Sequence, residues 1–379
     1  MKLTIAKIGD NKTVSFAVEE LIRLIKEMDS TVVLDVRKYN AFDETVKNAR
    51  AALESYSPTP ETSCRCENTI ILQADVHIII PAYNVEAYIA ECMDSVVLNP
   101  TKKYTCHITV INDGSSDMTG EILKKYEHYP NVEIITQANK GFSGARNTGL
   151  SCIRGKYILF VDSDDLLDWS GVEKMLDTAA QTNADIVWGA HTMISESGIR
   201  YKTILPPVGQ VEPTKMSGHP VAKLFRSQLF RDVCFPEKYW YEDSILAQIV
   251  FPRTAVAYAI QDNAYYVRNR MSGVTNSGIK NPKSVDSFRI TELLFEERRE
   301  YGLEITQQYY EYVLHMVKLT FRRIRERPYE IKKLVFILFC DFIDKNFRGF
   351  SAGTKEGREV EKIIRSRNLK KCISYAKWM

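Results

Sequence analysis

From Asp75 onward the sequence predicts an α/β fold: a sheet with helices on both faces, preceded by a small α/β segment and followed by a helical region. Three observations carry this expectation. Short apolar strands alternate with helices on brief connections from Asp75 to about Gly189, as they do where crossover helices join the strands of a parallel sheet. Polar residues gather where those strands end, the edge at which open α/β sheets bind ligands. From about Pro282 the apolar residues recur at helical periods and continue to do so.

Residues 1 to about 55 predict strand, helix, strand, helix. Phe16, Ala17, Leu21, Leu24, Ile25 and Met28 recur at helical spacing, and Thr31 to Val36 is a β-branched run. Ala41 to Tyr56 is a more polar helix, Ser57 to Ser63 a proline-bearing loop, and Asn68 to Gln73 a further strand. Residues 1–74 are thus expected to form a small α/β domain of unassigned role. The main domain is expected over 75–280. Its strand Val76 to Ile80 ends in Pro81-Ala82-Tyr83-Asn84, and a helix from Ala87 to Val97 follows. Cys106 to Ile111 ends in Asn112-Asp113-Gly114-Ser115-Ser116-Asp117, and the next helix runs from Met118 to Tyr126. Strand Val132 to Thr136, helix Gly144 to Ile153 and strand Tyr157 to Val161 lead to Asp162-Ser163-Asp164-Asp165. Helix Val172 to Gln181 and strand Asp185 to Gly189 close the pattern. Helices Phe288 to Glu300, Gln307 to Arg325 and Glu330 to Asn346 fill the region 281–379.

Composition bounds the function. The 379 residues, 45% hydrophobic and 26% charged, supply material for two or three globular domains. A net charge of +3 excludes a polycation built for nucleic acid. From Lys280 onward, however, 22 Lys and Arg face 14 Asp and Glu. A basic tail of that kind suits an anionic surface such as a membrane, or is simply a solvated helical face. The eight cysteines are scattered, and Cys64-x-Cys66 lacks the second pair of a zinc site. That usage suits a reducing cytoplasm. The N-terminus turns polar too soon for a signal peptide, and no apolar run approaches the ~20 residues of a membrane span. The expected location is cytoplasmic, soluble or peripheral at the inner membrane face.

Four strand-end segments carry the chemistry. Asp162-Ser163-Asp164-Asp165 sets three carboxylates at one edge. Such acids repel one another unless a cation sits among them, and hard oxygen ligands favour Mg²⁺ or Mn²⁺. The bland alternative is a helix N-cap. Asp113 is placed to accept from a nucleobase N–H, or to belong to the cap of the following helix. Tyr83 is placed to stack on a base, or to close the core edge. In Asn139-Lys140-Gly141-Phe142-Ser143-Gly144-Ala145-Arg146-Asn147-Thr148-Gly149, the glycines allow close backbone approach. Arg146 is suited to hold phosphates or acids, or to form a buried Arg–Asp pair.

In this order and spacing, the four segments resemble the nucleotide-binding half of family 2 glycosyltransferases, with the GT-A, Rossmann-like fold, over about Asp75 to Ser277. The resemblance implies that Pro81, Tyr83 and Asp113 line the nucleobase pocket. It makes Asp162, Ser163 and Asp164 the D-x-D motif, with Asp162 on the ribose and metal side and Asp164 as direct metal ligand. Arg146 matches the arginine of the A-R-N-x-G run. Lys223-Leu224-Phe225-Arg226 and Glu242-Asp243 resemble the K-L-[FY]-R and E-D elements, and Asp243 falls at the general base, with an N-cap pair as the alternative for both acids. Tyr265 to Arg270 and Ser272 to Thr275 resemble a Y-x-Y-R-x-R…S-x-T element, in which Arg268, Arg270 or Ser272 would touch the diphosphate. His219 is a candidate for the acceptor side.

The implied activity is inverting transfer of a hexose or N-acetylhexosamine from a nucleoside-diphosphate sugar, with UDP the commonest carrier, using Mn²⁺ or Mg²⁺. The implied acceptor is a glycan or lipid-linked glycan of a bacterial surface polysaccharide. The basic C-terminal helices, with Phe339, Phe342, Lys345, Phe347 and Arg348, would meet the membrane or pack among themselves. A non-catalytic sugar- or nucleotide-binding module is the alternative. A nucleotidyltransferase would need a Gly-rich loop where Pro81 to Asn84 stands.

Overall fold

The computed structural model describes residues 36–98, 100–270 and 281–377. The strand–helix–strand expected before residue 36, and the residues Ser272 to Thr275, lie outside the described residues.

The expected strands and helices of the main domain are present. Strand β1 (Thr69–Ala82) is flanked by β2 (Cys106–Asn112) and β4 (Cys152–Phe160), with β3 (Val132–Thr136) beyond β2. These four are parallel. Helices α2 (Ile89–Val97), α3 (Thr119–Lys124) and α4 (Gly141–Leu150) make the crossovers, following α1 (Val36–Tyr56). A two-residue strand β5 (Leu166–Leu167) and helix α5 (Trp169–Thr182) precede β6 (Ile186–Ile194), β7 (Arg200–Ile204), β8 (Gly209–Val211), β9 (Lys223–Arg226) and β10 (Ala257–Arg268).

The sheet is mixed where a parallel one was expected. The Lys223 to Arg226 segment forms β9, which inserts antiparallel between β4 and β6, pairing Phe225 with Ile158 and Ile186. It returns through turns rather than a crossover helix, and so enters antiparallel. Strand β10 lies parallel to β6, while β5 and β8 are antiparallel to β10. The separately expected strands at 68–73 and 76–80 are one continuous strand, so the expected boundary after Ala74 falls inside β1. The turn that follows Glu242 and Asp243 is π-helical over Leu246–Val250.

Both sheet faces are buried. Ile78, Ile80, Leu159 and Val161 pack on one side, and Ile79, Ile158 and Phe160 on the other. This is why the strands read as continuous apolar runs rather than alternating ones. Phe160 meets Phe225, Phe230 and Phe235 edge-on, at 5.6–6.0 Å between centroids. Ile290 and Leu294 close that face. They belong to α6 (Asp286–Glu300), first of the C-terminal helices α7 (Gln307–Arg323), α8 (Tyr329–Asn346), α9 (Lys355–Arg365) and α10 (Leu369–Lys377).

These helices form their own core, which Val46, Ala49 and Leu53 of α1 join. Phe339, Phe342 and Phe347 lie inside it, so of the two readings given for them, packing among helices is the one observed. Arg50 of α1 makes a forked pair with Glu292 of α6, at 2.8 and 3.1 Å. No helix among the described residues is long and apolar enough to cross a membrane.

Candidate active site

Strands β1, β2 and β4 end side by side, with Ala82 opposite Asn112 and the Val161 amide donating to Ile79. The four motif segments therefore converge at one edge. The turns after β1 and β2 are fastened to each other. Asn84 is held in the left-handed region at φ 48°, a conformation asparagine tolerates better than most residues. Its Oδ1 accepts from the Ser116 amide at 2.8 Å, and its own amide donates to Ser115 Oγ at 3.1 Å. The Glu86 amide donates to Asp117, the Met118 amide to Glu86, and the Val85 amide to Thr119 Oγ1. Tyr83 is left 48% exposed above this clasp, while Pro81 is buried in the edge of β1.

Asp113 is buried and accepts from Gln137 Nε2 (2.6 Å) and from the amides of Lys140 (2.9 Å) and Gly141 (2.8 Å). It thereby ties the start of α4 to the end of β2. Three of roughly four lone-pair sites on a carboxylate are occupied, so one is left to accept. Gly114 has φ +73°, and a Cβ there would lie 2.8 Å from the Asn139 amide nitrogen. Only glycine fits both demands.

The three acids after β4 separate into distinct roles. Asp165 is buried, accepts from the Arg268 amide at 2.7 Å, and caps no helix. Burial, then Asp162 and Asp164, push its carboxyl well up. Helix α5 is capped instead by Asp168. Asp162 keeps a 39% exposed side chain and receives Arg146 Nη2 at 3.0 Å; its amide donates to the Tyr265 hydroxyl at 2.8 Å. Asp164 pairs with Arg270 at 2.5 Å. Its carboxyl is raised by burial and by Asp162. Ser163, between them, is buried. Arg268 braces this corner, bonding the Asp164 and Glu196 carbonyls and the Glu91 carboxylate. Ser272 lies outside the described residues.

No group of three or more His, Cys, Asp or Glu among the described residues makes a metal cage. The two carboxylates Asp162 and Asp164 nevertheless fit Mg²⁺ or Mn²⁺ of the kind held by one or two acids plus ligand phosphates.

Arg146, on α4, is buried and links two acids. Its Nη1 donates to Glu242 at 2.6 Å and its Nη2 to Asp162 at 3.0 Å. Burial alone would lower its pKa, but the two carboxylates more than reverse this, and it remains charged. The guanidinium also lies 5.5 Å from the centre of the Phe235 ring. Arg146 thus stands between the D-x-D acids and Asp243, the neighbour of Glu242. Burial and Asp243 raise the Glu242 carboxyl against the pull of Arg146. Burial would raise Asp243 too, but His219, Arg323 and Arg146 outweigh it, and its carboxyl sits below the usual range. The Asp243 side chain is 30% exposed, and His219 Nδ1 is 3.7 Å away. Neither acid caps the following turn by its side chain.

Several residues around Asp243 were not singled out from the sequence. Tyr241 has φ 65°, an outlier for a bulky residue. Its ring receives the Arg323 guanidinium at 3.6 Å. Arg323 ends α7, and Tyr312 of the same helix is pushed up to about 12 by burial and by Asp243. Lys223, known only as part of a matching run, is fully buried and bonds Ser217 Oγ (3.0 Å) and the His219 carbonyl (2.7 Å). Burial brings its amine down to about 7, against the pull of Asp243. Nothing in local sequence marks Arg323 or Tyr312, because their partners lie far along the chain. A cavity of about 510 Å³ lies elsewhere, between α1, α6 and α8. The charges along it are paired, Arg50 with Glu292 and Lys345 with Asp341.

Comparison with known proteins agrees with this geometry. Residues 77–233 match the family model for glycosyl transferase family 2. The chain is 30% identical over 225 residues to glycosyltransferase GlyA of Streptococcus pneumoniae, covering 54% of this chain and 32% of that protein. It is 37% identical over 147 residues to the uncharacterized glycosyltransferase EpsJ of Bacillus subtilis, covering 38% of this chain and 40% of that one. The matched part therefore spans less than half of either relative. The structure of Staphylococcus aureus TarS 1–349 in complex with UDP-GlcNAc superposes with a TM-score of 0.63 at 19% identity, over 80% of this chain and 90% of that one. The sheet order, the strand-end motifs and these matches converge: residues 77–233 are a glycosyl transferase family 2 segment, and the central domain has the GT-A fold.

Proposed function

We propose that the chain is an inverting glycosyltransferase of the hexosyl or N-acetylhexosaminyl class. In this reading it moves a sugar from a nucleoside diphosphate, UDP first among candidates, to a glycan or lipid-linked glycan hydroxyl in bacterial surface polysaccharide synthesis. The TarS structure holding UDP-GlcNAc supports that choice of donor. The observation that carries the reading is the Arg146 bridge. One buried cation ties the D-x-D acid Asp162 to Glu242, beside a partly buried, ionised Asp243.

Pro81, Tyr83, Asp113 and Ser163 would form the base and ribose side, with Tyr83 free to stack. Asp162 and Asp164 would hold Mn²⁺ or Mg²⁺, which when bound neutralises the departing diphosphate. Arg146 keeps Asp162 and Glu242 in place. Asp243 accepts the acceptor hydroxyl proton as that oxygen bonds to C1. The bond from C1 to the diphosphate oxygen breaks on the opposite face, so one displacement inverts the centre. In this proposal the catalytic domain takes in the whole of β1, so it begins by Thr69 rather than at residue 75, and the helical region is 281–379. The enzyme would work in the cytoplasm, with the basic C-terminal helices at the inner membrane face. Any such contact uses exposed cations such as Lys345 and Arg348, since Phe339, Phe342 and Phe347 are buried.

The test is a thermal-shift panel of nucleoside diphosphates and nucleotide sugars with and without Mn²⁺, followed by turnover of the best donor. Metal-dependent stabilisation and transfer are expected. Binding without any turnover on a panel of glycan acceptors would favour the non-catalytic alternative.

A further inference from the structure

Two arginines close the corner that carries the D-x-D acids, and their surroundings differ. Arg268 ends β10 with a side chain only 3% exposed. Its Nε donates to the Asp164 carbonyl at 2.9 Å, its Nη1 to the Glu196 carbonyl at 2.8 Å and its Nη2 to the Glu91 carboxylate at 2.6 Å. All three guanidinium nitrogens are committed to the frame. Arg270 follows the backbone bond from the Asn269 amide to the Ile194 carbonyl, the last that ties this stretch to β6 among the described residues. Its side chain is 22% exposed, and its Nε lies 2.5 Å from Asp164 Oδ2. Tyr88 supports both arginines, with the guanidinium carbons 5.4 and 5.1 Å from the centre of its ring.

Each of the three acids after β4 has its own partner. Asp162 receives Arg146, Asp165 accepts from the Arg268 amide, and Asp164 has Arg270. Arg146 also holds Glu242, and Arg268 also holds Glu91 and Glu196, so neither can leave without loosening the fold. Arg270 sits instead on the acid read above as a direct ligand of Mn²⁺ or Mg²⁺, against the face of a tyrosine. A guanidinium and a divalent ion on one carboxylate oxygen are like charges side by side, and they repel. Arg270 and the ion therefore compete for Asp164.

We propose that Arg270 is the stand-in cation of the donor-free enzyme: it neutralises Asp164 until a divalent ion arrives, and then gives that oxygen up. The inference rests on the reading of Asp164 as a metal ligand. Its consequence is coupling between ion and nucleotide. Competition weakens binding of the ion alone in proportion to the fraction of Asp164 left free. A bound diphosphate gives the displaced guanidinium a new anion, one that suits its planar fork. Ion and nucleotide are then taken up together. Arg270 is a positioning residue in this scheme, acting through the Asp164 carboxylate.

The experiment titrates Mn²⁺ alone into the full chain and reads the free ion by electron paramagnetic resonance, which needs neither donor nor turnover. Arg270→Gln is expected to bind Mn²⁺ about threefold to tenfold more tightly than wild type. Arg270→Lys keeps a charge without the fork and should fall between them. Arg200→Gln controls for a general loss of positive charge. The Arg200 guanidinium lies 4.5 Å from the centre of the Tyr266 ring, and its removal should leave Mn²⁺ affinity within about twofold of wild type. With UDP present, the gain from Arg270→Gln should shrink or reverse, because the diphosphate then lacks that guanidinium. Asp164→Asn separates this proposal from the reading beneath it. Unchanged Mn²⁺ affinity in Asp164→Asn takes the ion off Asp164, and both fail. Weaker binding in Asp164→Asn, with Arg270→Gln no better than wild type, keeps the metal site and overturns the exchange. An equal gain in Arg200→Gln, or the same gain from Arg270→Gln with and without UDP, overturns it as well.

Discussion

Between Ala82 and Gly141 the candidate donor side holds itself together. Asn84, Glu86, Asp113, Ser115, Asp117 and Thr119 bond to the backbone of each other's turns, all within about sixty residues of chain. The candidate base side is held from outside. Residues 238–243 bend through left-handed Lys238 and Tyr241 and are fixed by the C-terminal region. Lys283 bonds the Lys238 carbonyl, Asp286 accepts from the Trp240 amide at 3.1 Å, and Arg323 covers the Tyr241 ring. Arg146 is the link between the two sides. Donor binding should therefore survive damage to the C-terminal helices, while transfer should not. The family match, ending at residue 233, stops short of Asp243 and of the C-terminal residues that fix its loop.

The largest expected effect tests the two sides directly. Asp243→Asn should lower transfer by about 10²–10⁴-fold, the usual range for loss of a general base, while nucleotide affinity stays within about twofold of wild type. Near-normal turnover would mean that another group takes the proton. On the opposite side, Asp164→Ala should remove metal-dependent donor binding in the thermal-shift panel. Retention of that dependence would end the ligand role given to Asp164.

Cutting the link should damage both sides. Arg146→Met leaves Asp162 and the buried Glu242 without their cation. Breaking a buried pair in this way costs about 3–5 kcal/mol, so denaturant melts should show a lower midpoint, with both donor affinity and transfer reduced. A variant with unaltered stability would show that the Arg146 pairs are incidental.

The sequence made one side far more readable than the other, and the reason is physical. Strand-end turns are local, so Tyr83, Asp113 and the acids after β4 stand out from apolar runs and turn residues alone. Their division of labour was not readable. Whether Asp165 or Asp164 turns inward depends on Arg268, which arrives from β10 roughly a hundred residues later. The antiparallel entry of β9 was likewise hidden, because a four-residue run does not state its direction. Arg323 and Tyr312 look like ordinary positions on an amphipathic helix. Only the packing of α7 brings them to Asp243.

Lys223 gives a pH test of the base side. Its amine sits near 7 in the fold and near 10.4 in the unfolded chain. Between those values the unfolded state binds more protons, so this group makes stability rise with pH across the window. Below about pH 7 the amine is protonated in both the folded and the unfolded state, and the full cost of burying its charge applies. Lys223→Met lacks that dependence. The stability of wild type relative to Lys223→Met should therefore climb between pH 7 and about 10, by up to roughly 1.4 kcal/mol per pH unit. Parallel curves for the two proteins would show that the amine is not depressed.

A smaller effect separates positioning from chemistry. Arg323→Met removes the cation from the Tyr241 ring and one of the charges that hold the Asp243 carboxyl low, but it contacts neither Asp243 nor the D-x-D acids. A desolvated cation–π contact is worth about 2 kcal/mol, so if the contact holds the loop, kcat should fall by about tenfold or somewhat more. Donor affinity and metal dependence should stay as in wild type, because the turns that carry them do not contact α7. Arg323→Lys, which restores charge without the planar stacking group, should recover only part of the rate. Equal loss of donor affinity and kcat in Arg323→Met would show that the two sides are one cooperative unit, and the division drawn between them would fail.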